Sequence, residues 1–226
     1  MLIPDAIGFI PDGNRRYAKK NNLTLNQAYE LGFQKAEEVF DWCLEKGIRK
    51  AVIYALSTEN VNRNQKELEI LFELYKKYLK MLSENEKIHK YKVRVELIGE
   101  EQILNNFKEE ISSLREATSD YSEHQVYVCL GYGGRAELLN AMRRVREQAI
   151  SISDLDEVSF SKYLWIPFDL DLIIRTGGVS RLSNFALWQS SYAELFFSEK
   201  LWPEFSKEDF EKALNFYINT KRNFGR

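Results

Sequence analysis

Short apolar runs alternate along the chain with longer stretches in which apolar residues recur every three or four positions. Ala6-Ile7-Gly8-Phe9-Ile10 is a continuous apolar run closed by Pro11 and an Asp-Gly turn signal, which predicts a first strand. From Asn26 onward, Ala28, Leu31, Ala36, Val39, Phe40 and Cys43 keep helical spacing until Gly47 ends the pattern. Ala51 to Leu56 predicts a second buried strand, and Lys66 to Ser83 a helix with Leu68, Leu71, Leu74, Tyr75, Tyr78 and Leu82 on one face. Val93, Val95 and Leu97 alternate as a strand, and Ile103 to Leu114 reads as one helix. Val126 to Leu130 predicts a strand ahead of Gly131-Tyr132-Gly133-Gly134 and a helix from Ala136. Leu172-Ile173-Ile174 and Leu195-Phe196-Phe197 predict two further strands, and the last helix runs from Lys207 to Tyr217.

This β-α alternation predicts an α/β fold: a mostly parallel sheet with helices on both faces. With 226 residues and no internal repeat, low-complexity tract or linker-like stretch, residues 1–226 are expected to form a single domain. Ligands of open α/β sheets bind beyond the carboxyl ends of the strands. The loops after Ile10, Leu56 and Ile174 are therefore the places to look for chemistry.

Charge changes this picture only locally. Lys+Arg at 32 against Asp+Glu at 34 gives a formal net charge of -2, so no global field favours nucleic acid, and an anion site must come from clustering. Cys43 and Cys129 sit in apolar runs without CxxC spacing, as buried thiols do. His89 and His124 are the only histidines, which argues against a zinc enzyme or a histidine triad. The first residues lack a charged segment followed by an apolar one, and no apolar run approaches membrane-spanning length. A cytoplasmic protein is expected.

The loop Pro11-Asp12-Gly13-Asn14-Arg15-Arg16 joins a strand to a helical stretch. Gly13 and Asn14 tolerate unusual backbone angles, so successive N–H groups can converge on an anion. The helix start adds free donors, and Arg15 and Arg16 add forked donors suited to phosphate oxygens. Asp12 beside a diphosphate makes sense only with a hard cation between them, and Mg²⁺ commonly uses one or two carboxylates plus phosphate oxygens. The alternative is a plain Asp-Gly turn with a solvated basic helix start. The second loop, Ser57-Thr58-Glu59-Asn60-Val61-Asn62-Arg63, offers hydroxyls, an amide and an arginine, or simply the cap of the next helix. In the third, Arg175 and Arg181 bracket Gly177-Gly178 and precede Leu182-Ser183-Asn184, a clamp suited to a second phosphate group. Three anion-suited loops without a Walker or GxGxxG pattern argue for two phosphorylated substrates. The aromatic and leucine face from Leu68 to Leu82, with Phe72, Tyr75 and Tyr78, fits either core packing or the wall of a cleft for a hydrocarbon chain.

These segments resemble the signatures of one family over nearly the whole chain. Ile10-Pro11-Asp12-Gly13-Asn14-Arg15-Arg16-Tyr17-Ala18 resembles the first signature of the cis-prenyltransferases, also called the undecaprenyl diphosphate synthase family, and Tyr54-Ala55-Leu56-Ser57-Thr58-Glu59-Asn60 the second. Asp171 to Gly178, continuing through Arg181-Leu182-Ser183-Asn184-Phe185, resembles the third, and Trp188-Gln189, Tyr192-Ala193-Glu194-Leu195, Leu201-Trp202-Pro203 and Arg222-Asn223-Phe224-Gly225 follow in order. The resemblance implies a six-stranded parallel sheet, a homodimer and a hydrophobic tunnel for a growing chain. It implies Mg²⁺ at Asp12 with help from Glu194, and an allylic prenyl diphosphate gripped by Gly13, Asn14, Arg15 and Arg16, with Tyr17 beside them. Isopentenyl diphosphate would be held by Arg175, Arg181, Leu182 and Ser183. Ser57, Thr58 and Glu59 would line the substrate site, with Asn60 near proton removal and Arg63 supporting it. A lipid product allows peripheral membrane contact.

The chain also departs from the family pattern. Ala6 replaces a histidine, Pro11 a methionine and Val61 a tryptophan. Leu25 and Tyr29 stand where an arginine and a histidine usually flank the donor diphosphate, and Val179-Ser180 where a glutamate-histidine pair is usual. Pro-Asp-Gly-x-Arg-Arg also resembles members that make irregular, lavandulyl-type couplings between short allylic diphosphates. A catalytic enzyme with altered donor or acceptor choice is the leading expectation. The alternatives are a non-catalytic partner subunit, against which the retained Asp12 counts, and a binding module for a phosphorylated metabolite.

Overall fold

The computed structural model describes residues 3–62 and 64–221, with Asn62 described for its backbone only. Six strands are present among the described residues: β1 (Ala6–Ile10), β2 (Lys50–Ser57), β3 (Val93–Ile98), β4 (His124–Tyr132), β5 (Leu172–Arg175) and β6 (Glu194–Phe197). They form one sheet in the order β3-β4-β2-β1-β5-β6, and every pairing is parallel. The expected mostly parallel six-stranded sheet is thus wholly parallel. β1 and β5 are buried at every position and read as apolar runs, apart from Arg175 at the end of β5, whereas the edge strand β3 buries Val93, Val95 and Leu97 and exposes Arg94.

The helices are α1 (Asn14–Lys20), α2 (Leu25–Glu45), α3 (Gln65–Ser83), α4 (Glu86–Lys90), α5 (Glu101–Leu104), α6 (Lys108–Thr118), α7 (Gly134–Glu147), α8 (Glu157–Ser161) and α9 (Lys207–Asn219). α2 starts on a capping box in which Thr24 and Gln27 satisfy each other's amides, and Ser206 and Asp209 do the same for α9. On one face of the sheet Trp42 and Cys43 of α2 and Phe210 and Leu214 of α9 pack on Ile7, Phe9 and Ile174. Farther along that face Leu71, Leu74 and Tyr78 of α3 meet Val95 and Val128. On the other face Phe185, Ile166 and Leu170 cover Val52, Tyr54 and Cys129. α7 is tied to this layer by Glu137, whose buried carboxylate accepts from Tyr132 Oη, from Ile166 N at 2.8 Å and from Gln189 Nε2 at 3.2 Å. Burial pushes the Glu137 carboxyl upward in pKa, against the pull of these donors. Both cysteines are buried free thiols, as their apolar context predicts.

The single helix expected from Ile103 to Leu114 is broken. Residues 105–107 form a 3₁₀ turn between α5 and α6, because Phe107 turns fully inward to pack edge-on against Phe72 and Tyr75. α4 and α8 are too short for apolar periodicity to announce them, although Asn85 and Asp156 cap them. No helix among the described residues is long and apolar enough to cross a membrane.

Trp202 ties the first loop to α2. Its backbone N–H donates to Asp12 O at 3.0 Å and its indole Nε1 to Gly32 O at 2.7 Å, with the side chain buried. Trp202→Phe removes this indole donor, while Gly32 O stays within the α2 hydrogen-bond ladder, and should cost about 0.5–1.5 kcal/mol in urea unfolding. An unchanged midpoint would show that this bond contributes nothing.

Candidate active site

At the carboxyl ends of β1, β2 and β5 lies a cavity of about 800 Å³, within the roughly 300–1,000 Å³ usual for small-molecule sites. The β1 loop supplies Asp12, Gly13, Asn14, Arg15 and Arg16, the β2 loop Ser57, Glu59 and Asn60, and the β5 loop Arg175, Arg181 and Ser183. Among the described residues of its wall, four arginines face two carboxylates. The local clustering that a nearly neutral chain requires for an anion site is therefore present.

Asp12 sits at the centre. Its Oδ1 accepts from Arg16 Nη2 and its Oδ2 from Arg175 Nη2, each at 3.0 Å. Its backbone is fixed as tightly: Asp12 N donates to Thr176 Oγ1 at 3.0 Å, and Thr176 Oγ1 donates back to Asp12 O at 2.8 Å. Arg16 Nη1 reaches across to Gly177 O at 2.6 Å, and Arg175 Nη1 donates to Ser183 Oγ at 2.7 Å and to Arg181 O. Gly177 has φ +91, and a side chain there would collide with the Arg16 guanidinium and the Asp12 carbonyl. Gly177 thus lets two loops approach closely enough to share one carboxylate.

Arg175 is 5% exposed, and among the described residues its Nε has no hydrogen-bond partner. Buried donors are rarely left unpaired, so this atom is spare capacity for an acceptor. The Asp12 side chain keeps 33% exposure, leaving its oxygens within reach of a cation from the cavity side. No group of three or more His, Cys, Asp or Glu residues suited to a metal occurs among the described residues. A hard cation here would have one carboxylate and would need ligand or water oxygens, which is how Mg²⁺ is commonly held.

The second loop turns in a 3₁₀ helix over Glu59–Asn62, with Asn60 N donating to Ser57 Oγ at 3.1 Å. Glu59 accepts from Asn184 Nδ2 at 3.0 Å, joining the second loop to the third. Asn184 Oδ1 also takes the Arg135 amide at 3.0 Å, and both Ser183 and Asn184 adopt positive φ, 49 and 65. Such angles are uncommon for non-glycine residues and persist where surrounding bonds hold them. Tyr54 Oη donates to Ser183 O at 3.2 Å beneath this turn.

Not every expected site residue reaches the cavity. Tyr17, Thr58 and Leu182 do not line it: Thr58 N is bonded to Tyr132 O, and Leu182 packs against the second core layer. Glu194 opens β6 level with Leu172, three register positions back from Arg175, so a strand rise of ~3.3 Å per residue places it about 10 Å toward the opposite end of the sheet. Within one chain Glu194 and Asp12 are not brought together. Arg63 and the Arg222-Asn223-Phe224-Gly225 tail lie outside the described residues. Conversely, Thr176, Asn184 and Trp202 anchor the site although the loop chemistry did not single them out for that role. Tyr29, at a usual histidine position, donates to Glu67 Oε1 at 2.6 Å instead of presenting a cation to the cavity.

The sequence profile of the undecaprenyl diphosphate synthase family matches residues 10–225. The chain belongs to this family, the cis-prenyltransferases. Its relatives include the Thermoplasma acidophilum tritrans,polycis-undecaprenyl-diphosphate synthase (geranylgeranyl-diphosphate specific), 43% identical over 99% of this chain and 89% of that protein. A Pyrobaculum aerophilum protein of the same name is 41% identical over 99% of this chain and 97% of its own length. Among solved structures, lavandulyl diphosphate synthase from Lavandula x intermedia in complex with dimethylallyl diphosphate superposes with a TM-score of 0.91 at 28% identity, covering 99% of both chains. The cis-prenyltransferase fold is the six-stranded sheet described above.

The pKa of Glu59 offers a test of the loop contact. Burial pushes its carboxyl up, but its own backbone amide, Asn184, Ser57 and Thr58 outweigh this and leave it below the ordinary value of 4.5. A depressed carboxylate stabilises above its unfolded value and loses that contribution as pH falls through the folded value. Wild type should therefore exceed Glu59→Gln in thermal midpoint at neutral pH, with the gap closing below about pH 4.5. A gap independent of pH would refute the charge-assisted Asn184 bond.

Proposed function

We propose that this cis-prenyltransferase joins an allylic prenyl diphosphate to isopentenyl diphosphate with Mg²⁺ at Asp12, releasing diphosphate. The observation that carries the proposal is the Asp12 carboxylate held between Arg16 and Arg175 in the wall of the cavity. Gly13, Asn14, Arg15 and Arg16 take the allylic diphosphate, and Arg175, Arg181 and Ser183 take the isopentenyl diphosphate. When bound, Mg²⁺ supplies positive charge that neutralises the departing diphosphate. Arg16 and Arg175 are already aimed at an anion, so substrate oxygens meet preorganised donors, each charge-assisted bond contributing roughly 1.5–3 kcal/mol. As the allylic C–O bond breaks, charge grows on the diphosphate and the arginines stabilise it more strongly than in the ground state. The isopentenyl alkene attacks the allylic carbon, a C–C bond forms, and a proton leaves beside Asn60.

The names of the archaeal relatives support geranylgeranyl diphosphate as the donor and a long product. The likeness to lavandulyl diphosphate synthase, with Leu25 and Tyr29 at usual cationic positions, supports as a second reading the coupling of short allylic diphosphates. We further propose a homodimer: Leu139 and Met142 stand 55% and 61% exposed on one face of α7, an apolar pair that a second copy would cover. Light scattering should give twice the monomer mass, and a monomer mass would contradict this.

The test of function pairs labelled isopentenyl diphosphate with geranylgeranyl diphosphate or with shorter allylic donors, with and without Mg²⁺. Chain extension on geranylgeranyl diphosphate is expected, lost on chelation. Asp12→Ala should lower turnover by about 10²-fold or more with unchanged far-ultraviolet circular dichroism. A fully active variant would remove Asp12 from the chemistry, and turnover only between two allylic donors would favour the irregular coupling.

A further inference from the structure

The start of α7 is capped from outside the helix. Gly133 precedes it without a side chain, while Gly134 N donates to Asn184 O at 2.7 Å and Arg135 N to Asn184 Oδ1 at 3.0 Å. The free amides of a helix start need acceptors, and here one residue of the third loop supplies two. A side chain at Gly133 would press on Asn184 Nδ2 and Thr58 Oγ1, so the fit is close. With Oδ1 committed to Arg135 N, the Asn184 amide has one orientation, and its Nδ2 donates to Glu59 Oε1 at 3.0 Å. Asn184 follows Ser183, whose Oγ accepts from Arg175, and Glu59 precedes Asn60, whose N–H donates to Ser57 Oγ. All four of Ser183, Asn184, Glu59 and Asn60 line the cavity. One hydrogen bond thus joins the neighbour of Ser183 to the neighbour of Asn60, and α7 is the fixed post behind it.

We propose that Asn184 is a positioning residue for the condensation: through Glu59 it fixes where Asn60 stands relative to isopentenyl diphosphate held on Ser183. This inference rests on the condensation reading above, and its test separates the two. The isopentenyl C4 bonds to the allylic carbon as diphosphate leaves with the C–O electron pair, and C3 becomes positive. The C2–H pair then closes the C2–C3 double bond, and the proton passes to an oxygen of the released diphosphate. That step depends on how Asn60 stands to C2, whereas the substrate is anchored through its diphosphate at the other loop. The spacing between the two loops therefore enters the rate, and displacements of about 1 Å in such geometries cost about 10²-fold. Asn184 acts only through its neighbours and through Glu59.

Asn184→Asp keeps an acceptor for Arg135 N and a residue type that tolerates positive φ, but it sets a second carboxylate against Glu59. The double variant Asn184→Asp with Glu59→Gln restores the bond in reverse, the new amide donating to the new carboxylate. Glu59→Ala breaks the same bond from the other loop and leaves the α7 cap in place, so it decides the matter should Asn184→Asp fail to fold. Single-turnover rates are measured with isopentenyl diphosphate and with its C2-deuterated form, alongside KM for each substrate. Asn184→Asp and Glu59→Ala should lower the rate by about 10- to 10²-fold, raise the C2 isotope effect and leave the donor KM unchanged. The double variant should recover most of the rate and the wild-type isotope effect. A loss confined to the isopentenyl KM, a double variant no better than Asn184→Asp, or fully active single variants would overturn the role. Nitrogen-15 NMR needs no turnover: added isopentenyl diphosphate should shift the Asn60 amide signal further in wild type and the double variant than in Asn184→Asp. Equal shifts in all three, or none in wild type, would overturn the link. Wild type that incorporates no isopentenyl unit would refute the condensation instead, and the NMR comparison would then decide the link by itself.

Discussion

One carboxylate between two guanidinium groups organises this molecule. Asp12 pairs with Arg16 of its own loop and with Arg175 at the end of β5, while its backbone is bonded to Thr176 and Trp202. Parallel strands set these groups side by side, since β1 and β5 pair with Ile10 opposite Arg175. The loops that follow therefore leave the sheet at the same level. Close approach then requires glycine at Gly177, where any side chain would drive the loops apart. The result is a pair of arginines aligned before any substrate arrives, which is the preorganisation that electrostatic catalysis depends on.

Arg175 shows why such an arrangement belongs to a site rather than to the core. A guanidinium so deeply buried is costly unless it is paired, and Asp12, Arg181 O and Ser183 satisfy only part of it. Its unpaired Nε, the positive φ of Ser183 and Asn184, and the exposed side of Asp12 lie together. Local compromises of this kind gather where a ligand completes the structure.

The sheet was legible because its strands obey the simplest pattern: buried runs bounded by turn signals. Ala6 to Ile10 carries no polar residue, so only a fully covered strand suits it. The loops that line the cavity were legible through residue type and position after strands. What pattern alone could not show was long-range geometry. Phe107 breaks a helix because aromatic partners in another helix draw it inward, and nothing local in residues 103–114 announces them. Thr176 and Trp202 became site residues only through bonds to Asp12. Glu194 kept the spacing of a family signature, yet strand register sets it toward the far end of the sheet. The aromatic face of α3, which suited either core or cleft, serves both: Leu74 and Leu79 pack in the interior, while Tyr75 lines the cavity.

The central claim is that Asp12 and the two arginine loops hold two diphosphates around one divalent cation. A crystal structure grown with Mn²⁺ as an anomalous stand-in, isopentenyl diphosphate and an unreactive allylic thiolodiphosphate tests it directly. The account predicts an anomalous peak within coordination distance of Asp12, with one diphosphate on Arg15 and Arg16 and the other on Arg175, Arg181 and Ser183. Diphosphates bound elsewhere, or a cation with no bond to Asp12, would contradict it.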